Sequence, residues 1–164
     1  MLACVTYSVS CAISYFIGKA IGEGDEDTVK SYFRIGIYFS LALGCVQVAL
    51  MIALKDSLFA IFTDSEEVKD LLNQAWPVAL MFMFLNYPNW CASAGLRAAG
   101  KQKLAAIVTW ASYGVIGLLV SYFCTVKVEM GLAGTWMGPT AAVIVNICAY
   151  LFIWTRIDWL QLID

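Results

Sequence analysis

The sequence has no histidine, only three prolines and few charged residues. Of its 164 residues, 13% are charged and 62% are hydrophobic. Ten Lys and Arg stand against 12 Asp and Glu, so the formal net charge of −2 indicates neither a basic surface for nucleic acid nor an acidic tail. A soluble domain of this size cannot bury so much apolar surface in one core. The composition therefore indicates a membrane protein.

The six cysteines are spread singly through apolar stretches, and no two of them have CxxC spacing. Without histidine, no group of residues has the spacing of metal ligands. The sequence also offers no paired nucleophile and base. We therefore expect no metal site, no cofactor, no disulfide framework and no catalytic residues, and we do not expect an enzyme.

Five long stretches contain no charged residue. A hydrocarbon core of about 30 Å needs roughly 20 helical residues, and a helix bonds its own backbone polar groups inside lipid. The sequence therefore predicts an all-α membrane protein with five transmembrane helices in a single domain, 1–164. A signal peptide is the alternative for the first stretch, but its positive n-region is absent. The five stretches are 1–18, 35–54, 71–96, 104–126 and 130–155.

Positive residues are unequally divided between the two sides of this predicted bundle. The loops 19–34 and 97–103 and the C-terminal tail together carry seven Lys and Arg, whereas the opposite side carries three. Positive residues accumulate in cytoplasmic loops. We therefore predict that the C-terminus is cytoplasmic and that the N-terminus lies on the opposite side of the membrane.

The loops contain signals for helix ends. The Gly-rich acidic segment 22–27 is expected to end one helix and begin the next. Asp64 and Glu67 resemble a capping box, which predicts a helix starting near residue 65. The apolar segment 58–62 is expected to lie at the membrane interface or to end the second span.

Two prolines lie within predicted spans. Pro88 is expected to kink the third span, because proline has no amide hydrogen to donate. Pro139 is expected to leave the carbonyl of Thr135 without its helical donor, and Thr140 is a candidate for compensation.

Polar and aromatic residues at membrane depth concentrate around Pro88. Amides in this position either line a cavity for a transported solute or bridge neighbouring helices, and both interpretations stay open. Aromatic rings can offer their faces to an organic cation. The candidate cavity residues are Asn86, Tyr87, Asn89, Trp90 and Tyr113.

Five motifs in register with the five spans resemble the multidrug and toxic compound extrusion (MATE) family of transporters. They are F-I-G-K-A-I-G-E-G-D at 16–25, F-T-D-S-E-E-V at 62–68, G-L-R-A-A-G-K-Q at 95–102, Y-G-V-I-G at 113–117, and G-L-A-G-T-W-M-G at 131–138 with Asp158 and Trp159 after the last span. The residues that carry the resemblance are Gly18, Gly22, Gly24, Arg97, Gly100, Gln102, Gly117, Gly134, Trp136 and Gly138.

This resemblance implies a bundle of two six-helix lobes, of which the chain would supply helices eight to twelve. The implied function is efflux of organic cations or small amphipathic solutes by antiport against a proton or sodium gradient. The implied partners are the lipid bilayer, a small-molecule substrate, the coupling cation, and an N-terminal lobe and seventh helix outside this chain. The alternatives are a non-transporting structural membrane subunit of the same ancestry and a lipid-linked precursor flippase of the wider superfamily.

Two positions differ from the family pattern. Many eukaryotic members carry an acidic residue, thought to bind the coupling cation, two residues before the proline that corresponds to Pro88; here that residue is Asn86. The proline that commonly follows the Gly-Leu of the eleventh helix is Leu119. No Asp, Glu, Lys or Arg lies within the five uncharged stretches, so we expect the coupling cation to be handled outside this segment.

Overall fold

The computed structural model describes residues 2–157, and every regular element in that part of the chain is a helix. In the long helix Gln102–Lys127, two π-helical segments, Ser112–Gly117 and Phe123–Lys127, interrupt the α-helical geometry. The helices are α1 (Leu2–Gly22), α2 (Glu26–Ala53), α3 (Lys55–Phe62), α4 (Glu66–Ala98), α5 (Gln102–Lys127) and α6 (Gly131–Thr155).

Three of the helices are long and apolar enough to cross a membrane, namely α2, α5 and α6, with 28, 26 and 25 residues. They match the second, fourth and fifth uncharged stretches. The helices α1 and α4 match the other two stretches but are not among the helices that this criterion identifies within the described residues. In α4 the reason is its composition, because four amides and two prolines dilute its apolar residues.

The break between α1 and α2 lies where the sequence predicts it. Helix α1 ends at Gly22, and Gly24 adopts a positive φ of 73° in the turn. Asp25 caps α2, because its carboxylate accepts hydrogen bonds from the hydroxyl of Thr28 at 2.6 Å and from the amide of Thr28 at 3.0 Å. These two bonds lower the pKa of Asp25 below its usual value.

The predicted capping box at the start of α4 is wrong by one residue. The N-cap is Ser65 rather than Asp64, and α4 begins at Glu66. The Ser65 side chain makes no capping hydrogen bond. Instead, the Thr63 hydroxyl accepts a hydrogen bond from the Ser65 amide at 3.1 Å, which fixes the chain before the helix. The predicted start near residue 65 is confirmed.

The apolar segment 58–62 belongs to a separate short helix, α3, and does not extend the second span. Phe59 is buried, and its ring meets the edge of Trp76 with the centroids 5.1 Å apart. Ile61 and Phe62 on the same helix are 75% and 81% exposed. One side of α3 therefore packs against the bundle, and the other side is apolar and open.

Helix α4 lies at the centre of the bundle, in contact with α1, α2, α5 and α6. Its residue Gly95 allows a close approach, because a Cβ there would lie 2.8 Å from the ring of Trp154 and 2.9 Å from that of Phe33. These two rings stack with centroids 3.7 Å apart. The core of the bundle thus joins α2, α4 and α6 at the end where α2 begins and α6 ends.

Pro139 leaves the Thr135 carbonyl without a helical donor, and a neighbouring helix supplies one. The hydroxyl of Ser121 on α5 donates a hydrogen bond to the carbonyl oxygen of Thr135 on α6 at 2.9 Å. Thr140 does not compensate as expected, because its hydroxyl donates to the carbonyl of Trp136 at 2.8 Å. The compensation therefore crosses between helices, which single-helix reasoning cannot predict.

Small residues let α5 and α6 approach closely around this hydrogen bond. A Cβ on Gly134 would lie 2.8 Å from the backbone of Cys124 and Thr125. A Cβ on Gly138 would overlap the hydroxyl of Ser121 and the carbonyl oxygen of Gly117. The two helices can pack backbone to backbone only with glycine at these positions.

Candidate functional site

A cavity of about 630 Å³ lies between α4, α5 and α6. This volume is in the range of small-molecule sites. Four of the five candidate cavity residues line it, namely Asn86, Asn89, Trp90 and Tyr113. The other lining residues are Ser93, Arg97, Gln102, Ala105, Ala106, Thr109, Trp110, Asn146 and Tyr150.

One face of α4 forms a wall of the cavity. Asn86, the adjacent pair Asn89 and Trp90, Ser93 and Arg97 follow each other at about one helical turn, so they lie on the same side of the helix. Tyr87 lies outside this face, although it is adjacent to Asn86 in sequence. It is buried between α2 and α4, where its hydroxyl donates a hydrogen bond to the amide oxygen of Gln47. Tyr87 therefore bridges helices and does not line the cavity.

Two buried amides supply the polar part of the cavity. Asn89 on α4 and Asn146 on α6 are 8% and 1% exposed, and neither amide oxygen has a hydrogen-bond partner within residues 2–157. A buried acceptor without a donor is costly, because it has lost water and gained nothing in exchange. Both oxygens are therefore suited to a hydrogen-bond donor on a molecule that enters the cavity.

Hydroxyl groups on α5 and α6 join the two helices beside these amides. The Tyr150 hydroxyl lies 2.5 Å from that of Thr109 and donates a hydrogen bond to the Ala105 carbonyl at 3.2 Å. Thr109 donates to the same carbonyl at 2.9 Å. This network fixes Tyr150 one helical turn from Asn146 and so holds one wall of the cavity in place.

Aromatic rings complete the cavity on the side of α5. Tyr113 and Trp110 contribute from α5, and Trp90 contributes from α4. Trp110 is 71% exposed and Trp90 is 38% exposed, so their rings border an open surface. Trp90 also meets Tyr7 of α1 edge to face, with centroids 6.0 Å apart.

Arg97 carries the only formal charge among the described residues that line the cavity. Its guanidinium donates hydrogen bonds to the Ser93 hydroxyl at 2.7 Å and to the Ser10 hydroxyl of α1 at 3.5 Å. Eleven residues separate it from Asn86, which is roughly 16 Å along the axis of α4. The cavity therefore has a cationic end near the α4–α5 loop and an uncharged amide and aromatic end deeper in the bundle.

The family-motif residues fall into groups with different roles. Arg97 and Gln102 line the cavity, whereas Gly24 and Gly100 adopt positive φ angles in turns. Gly117, Gly134 and Gly138 lie in the contact between α5 and α6, and Trp136 packs against Phe82 with ring centroids 5.7 Å apart. Gly18 and Gly22 face open space, and Asp158 and Trp159 lie outside the described residues.

Sequence reasoning missed the contributions of α6 and of the end of α4. Asn146 and Tyr150 are four residues apart, so they share a helix face, and this spacing was a usable signal. Continuing the α4 face by three residues beyond Trp90 leads to Ser93, and four residues further it leads to Arg97. Arg97 lies just past the third uncharged stretch and is predicted only as a loop cation and a motif residue, yet its long side chain lines the cavity.

Among known proteins, the MatE family model matches residues 1–123. Human multidrug and toxin extrusion protein 2 is 30% identical over 162 residues, which cover 96% of this chain and 27% of that protein. Protein DETOXIFICATION 53 of Arabidopsis thaliana is 26% identical over 159 residues, which cover 97% of this chain and 33% of that protein.

The fold is also that of a solved structure, the eukaryotic MATE transporter AtDTX14, with a TM-score of 0.89. The two share 18% identity, and the match covers 99% of this chain and 36% of that one. This chain thus spans about a third or less of the length of the proteins that it resembles. On the family match and the fold, the chain is an integral membrane protein that belongs to the MatE family of multidrug and toxin extrusion transporters.

Proposed function

We propose that the chain is part of a MATE-type efflux antiporter that moves organic cations or small amphipathic solutes against a proton or sodium gradient. In this proposal it forms most of one lobe of a longer protein and works with a second lobe and a seventh helix. Its similarity to proteins named for multidrug and toxin extrusion supports this proposal. The cavity between α4, α5 and α6 carries it, because two buried amide oxygens there lack hydrogen-bond donors beside aromatic rings.

The cavity chemistry suits a solute with a donor group and an aromatic or cationic body. The oxygens of Asn89 and Asn146 can each accept a hydrogen bond from an N–H or O–H group of the solute. The faces of Trp110 and Tyr113 can attract a cation. Arg97 repels a cation at its own end of the cavity, so the solute binds with its positive part toward the amides and any acceptor group toward Arg97.

In the proposed membrane arrangement α1 and α4 cross the bilayer together with α2, α5 and α6. The α1–α2 loop, the α4–α5 loop and the C-terminus then lie on the cytoplasmic side, where Lys and Arg are most frequent. Arg97 would thus border the cytoplasmic opening of the cavity. The amides and aromatic rings would lie nearer the middle of the membrane, where transporters commonly bind their substrates.

The coupling cation is assigned to another part of the longer protein. No carboxylate is among the described residues that line the cavity, and the residue two positions before Pro88 is the amide Asn86. An amide cannot gain or lose a proton in the physiological range. The carboxylates that exchange protons or hold sodium would therefore lie outside this chain.

A transport assay with amide variants tests the proposal in the full-length protein. We expect Asn89→Ala and Asn146→Ala each to raise the KM for efflux of the organic cation ethidium about fivefold, because each removes one hydrogen bond to the solute. The matched control is Asn73→Ala, an exposed amide on α4 outside the cavity, which should leave KM unchanged. Initial rates are normalised to folded protein measured by size-exclusion chromatography in detergent.

Two results would contradict the proposal. Equal KM values in all three variants would mean that the solute does not bind in this cavity. A full-length protein that folds but shows no gradient-driven efflux would favour the non-transporting membrane subunit instead.

A further inference from the structure

A second cavity, of about 680 Å³, lies between the first half of α2 and the end of α6. It shares no lining residue with the solute cavity among the described residues. The stacked rings of Phe33 and Trp154 form its back wall and separate it from the interior of the bundle. Nothing in the transport proposal uses this cavity.

Its charged residues come from one face of α2. Glu26, Lys30 and Arg34 follow each other at intervals of four residues and all line the cavity. Lys30 is paired with Glu26, with the ammonium nitrogen 2.6 Å from a carboxylate oxygen. Arg34 is exposed, and its guanidinium has no hydrogen bond or ion pair with any other residue in 2–157. Among the described residues that line the cavity, the formal charges therefore sum to a net positive charge, which Arg34 supplies.

The same cavity becomes apolar beyond Arg34. Arg34 immediately precedes the uncharged stretch 35–54 of α2, and Tyr38 one turn later is 66% exposed. Leu151 of α6, 40% exposed, faces the same space. The guanidinium of Arg34 thus lies at the edge of an open apolar surface. This surface is where α2 begins and α6 ends, and each of these helices is long and apolar enough to cross a membrane.

We propose that this cavity binds one anionic phospholipid of the surrounding bilayer. The guanidinium of Arg34 donates hydrogen bonds to the phosphate, which suits the planar donor geometry of arginine. An acyl chain runs along Tyr38 and Leu151 toward the middle of the membrane. Lys30 stays with Glu26 and adds a neutral polar pair to the headgroup region.

The apolar half of the cavity distinguishes a lipid from a free phosphate. A soluble anion would use Arg34 alone and leave the apolar wall unoccupied, whereas a lipid covers both parts. Basic pockets between transmembrane helices on the cytoplasmic side are a recognised form of lipid site. The proposed orientation places this cavity on that side, where anionic lipids are concentrated. The site itself does not depend on which solute is transported.

Native mass spectrometry of the purified full chain in detergent tests this inference. The probes are phosphatidylglycerol and phosphatidylcholine with identical palmitoyl and oleoyl chains, and the readout is the apparent Kd of the first bound lipid. We expect phosphatidylglycerol to bind about tenfold more tightly than phosphatidylcholine, because both lipids carry the phosphate but the choline of the second brings a positive charge close to Arg34. This comparison needs no variant, so it remains decisive if a substitution prevents folding.

Two variants, Arg34→Gln and Leu151→Asp, together with one control variant, test where the lipid binds. Arg34→Gln should remove the preference for phosphatidylglycerol. The matched control is Arg156→Gln at the same end of the bundle, where the guanidinium lies 5.2 Å from the ring of Phe152 on another face of α6. The Arg156→Gln variant should keep the full preference for phosphatidylglycerol. A further variant, Leu151→Asp, should raise the apparent Kd of both lipids, because it places a charge where the acyl chain would lie.

Three results would overturn the inference. They are equal affinity for the two lipids, equal loss of preference in the Arg34 and Arg156 variants, and displacement of bound phosphatidylglycerol by an equal concentration of soluble glycerol 3-phosphate. The last result would indicate a site for a free phosphate. None of them bears on the transport proposal, because the solute cavity lies elsewhere.

Discussion

At the scale of single residues, Asn86 is the position in this chain that bears most directly on the proposed ion coupling. It lies on the cavity face of α4, three residues before the buried amide of Asn89. An amide in this position can donate and accept hydrogen bonds but cannot exchange a proton. Its role therefore belongs to solute binding or helix packing, and the two can be separated by how transport depends on pH.

We expect Asn86→Ala in the full-length protein to lower the transport rate about fivefold without changing its pH dependence, because it removes a hydrogen bond but no titrating group. Asn86→Asp should add a new pH-dependent step. The pH dependence of each variant is measured from initial transport rates between pH 5 and pH 9, normalised to the amount of folded protein. The control Asn73→Asp places a carboxylate on an exposed position of the same helix and should add no such step.

An altered pH profile in the Asn86→Ala variant would place this residue within the coupling network. A normal rate per folded molecule with a lower folded yield would instead mean that Asn86 only bridges helices. These outcomes differ from each other and from the expected one, so the pH profile and the folded yield together assign the role of this residue.

The sequence indicates that the polar and aromatic residues around Pro88 lie together on α4, but which of them face the cavity depends on rotation about the helix axis. Asn86, Asn89 and Trp90 recur at helical spacing, and they share one face of α4. The position of Tyr87 beside Pro88 places it among the candidates, but its side chain lies between α2 and α4 and not on the cavity face. Its hydroxyl partner, Gln47, lies forty residues away on α2, and nothing local to either residue indicates that pairing.

At the scale of helices, the contact between α5 and α6 combines three departures from regular geometry. Helix α5 contains two π-helical segments, and α6 contains Pro139. Between them, Ser121 donates to the Thr135 carbonyl that Pro139 leaves without a donor. The departures from regular α-helical geometry in the two helices therefore meet at one contact, and π-helical turns are frequent at functional positions.

A double-mutant cycle measures how strongly Ser121 and Pro139 depend on each other. Ser121→Ala should destabilise the protein by about 1 kcal/mol, since the Thr135 carbonyl then has no donor. In the Pro139→Ala background the same change should cost less, because the new amide at 139 can donate to Thr135 within α6. Thermal unfolding in detergent, monitored by circular dichroism, gives the stabilities of the unmodified protein, the two single variants and the double variant.

Equal costs of Ser121→Ala in both backgrounds would mean that the hydrogen bond does not compensate for the proline. Gly114→Ala serves as a control for substitutions in α5, because a Cβ there would meet only Trp110 at 3.8 Å or more. It should leave stability unchanged or raise it slightly, since alanine favours helix more than glycine does.

The ends of the helices were predictable because they depend on local chemistry. The segment Gly22–Asp27 ends α1 and caps α2, and the last uncharged stretch, 130–155, matches α6 (Gly131–Thr155) within a residue. The π-helical segments of α5 were not predictable. They depend on how the backbone of α5 meets Gly134 and Gly138 of α6, and that contact exists only in the folded bundle.

At the scale of the whole molecule, the fold and the family followed from the order of spans and motifs, whereas the cavities did not. A cavity needs the relative rotation of several helices, and a single sequence contains no direct signal of that rotation. Asn146 shows this limit, since it lines the cavity between α4, α5 and α6 although it lies nearly sixty residues away from Asn89 in sequence. The orientation in the membrane is a property of this same scale, and it remains a prediction.

Cysteine labelling in intact cells tests that orientation. The native cysteines are first replaced by alanine, because at least Cys11, Cys45 and Cys148 are exposed. Single cysteines are then introduced as Asp25→Cys, Lys101→Cys and Ser65→Cys, each in a connection between helices.

We expect the first two positions to react only after the membrane is permeabilised, and Ser65→Cys to react with an impermeant maleimide from outside. The physical reason is that the positive residues lie mainly on the side of Asp25 and Lys101, and that side stays in the cytoplasm during insertion. The reverse labelling pattern would place Arg97 and the proposed lipid site at the outer surface. Labelling of Asp25→Cys and Lys101→Cys from opposite sides would mean that α2, α3 and α4 together do not cross the membrane an even number of times, which would contradict the five-span arrangement itself.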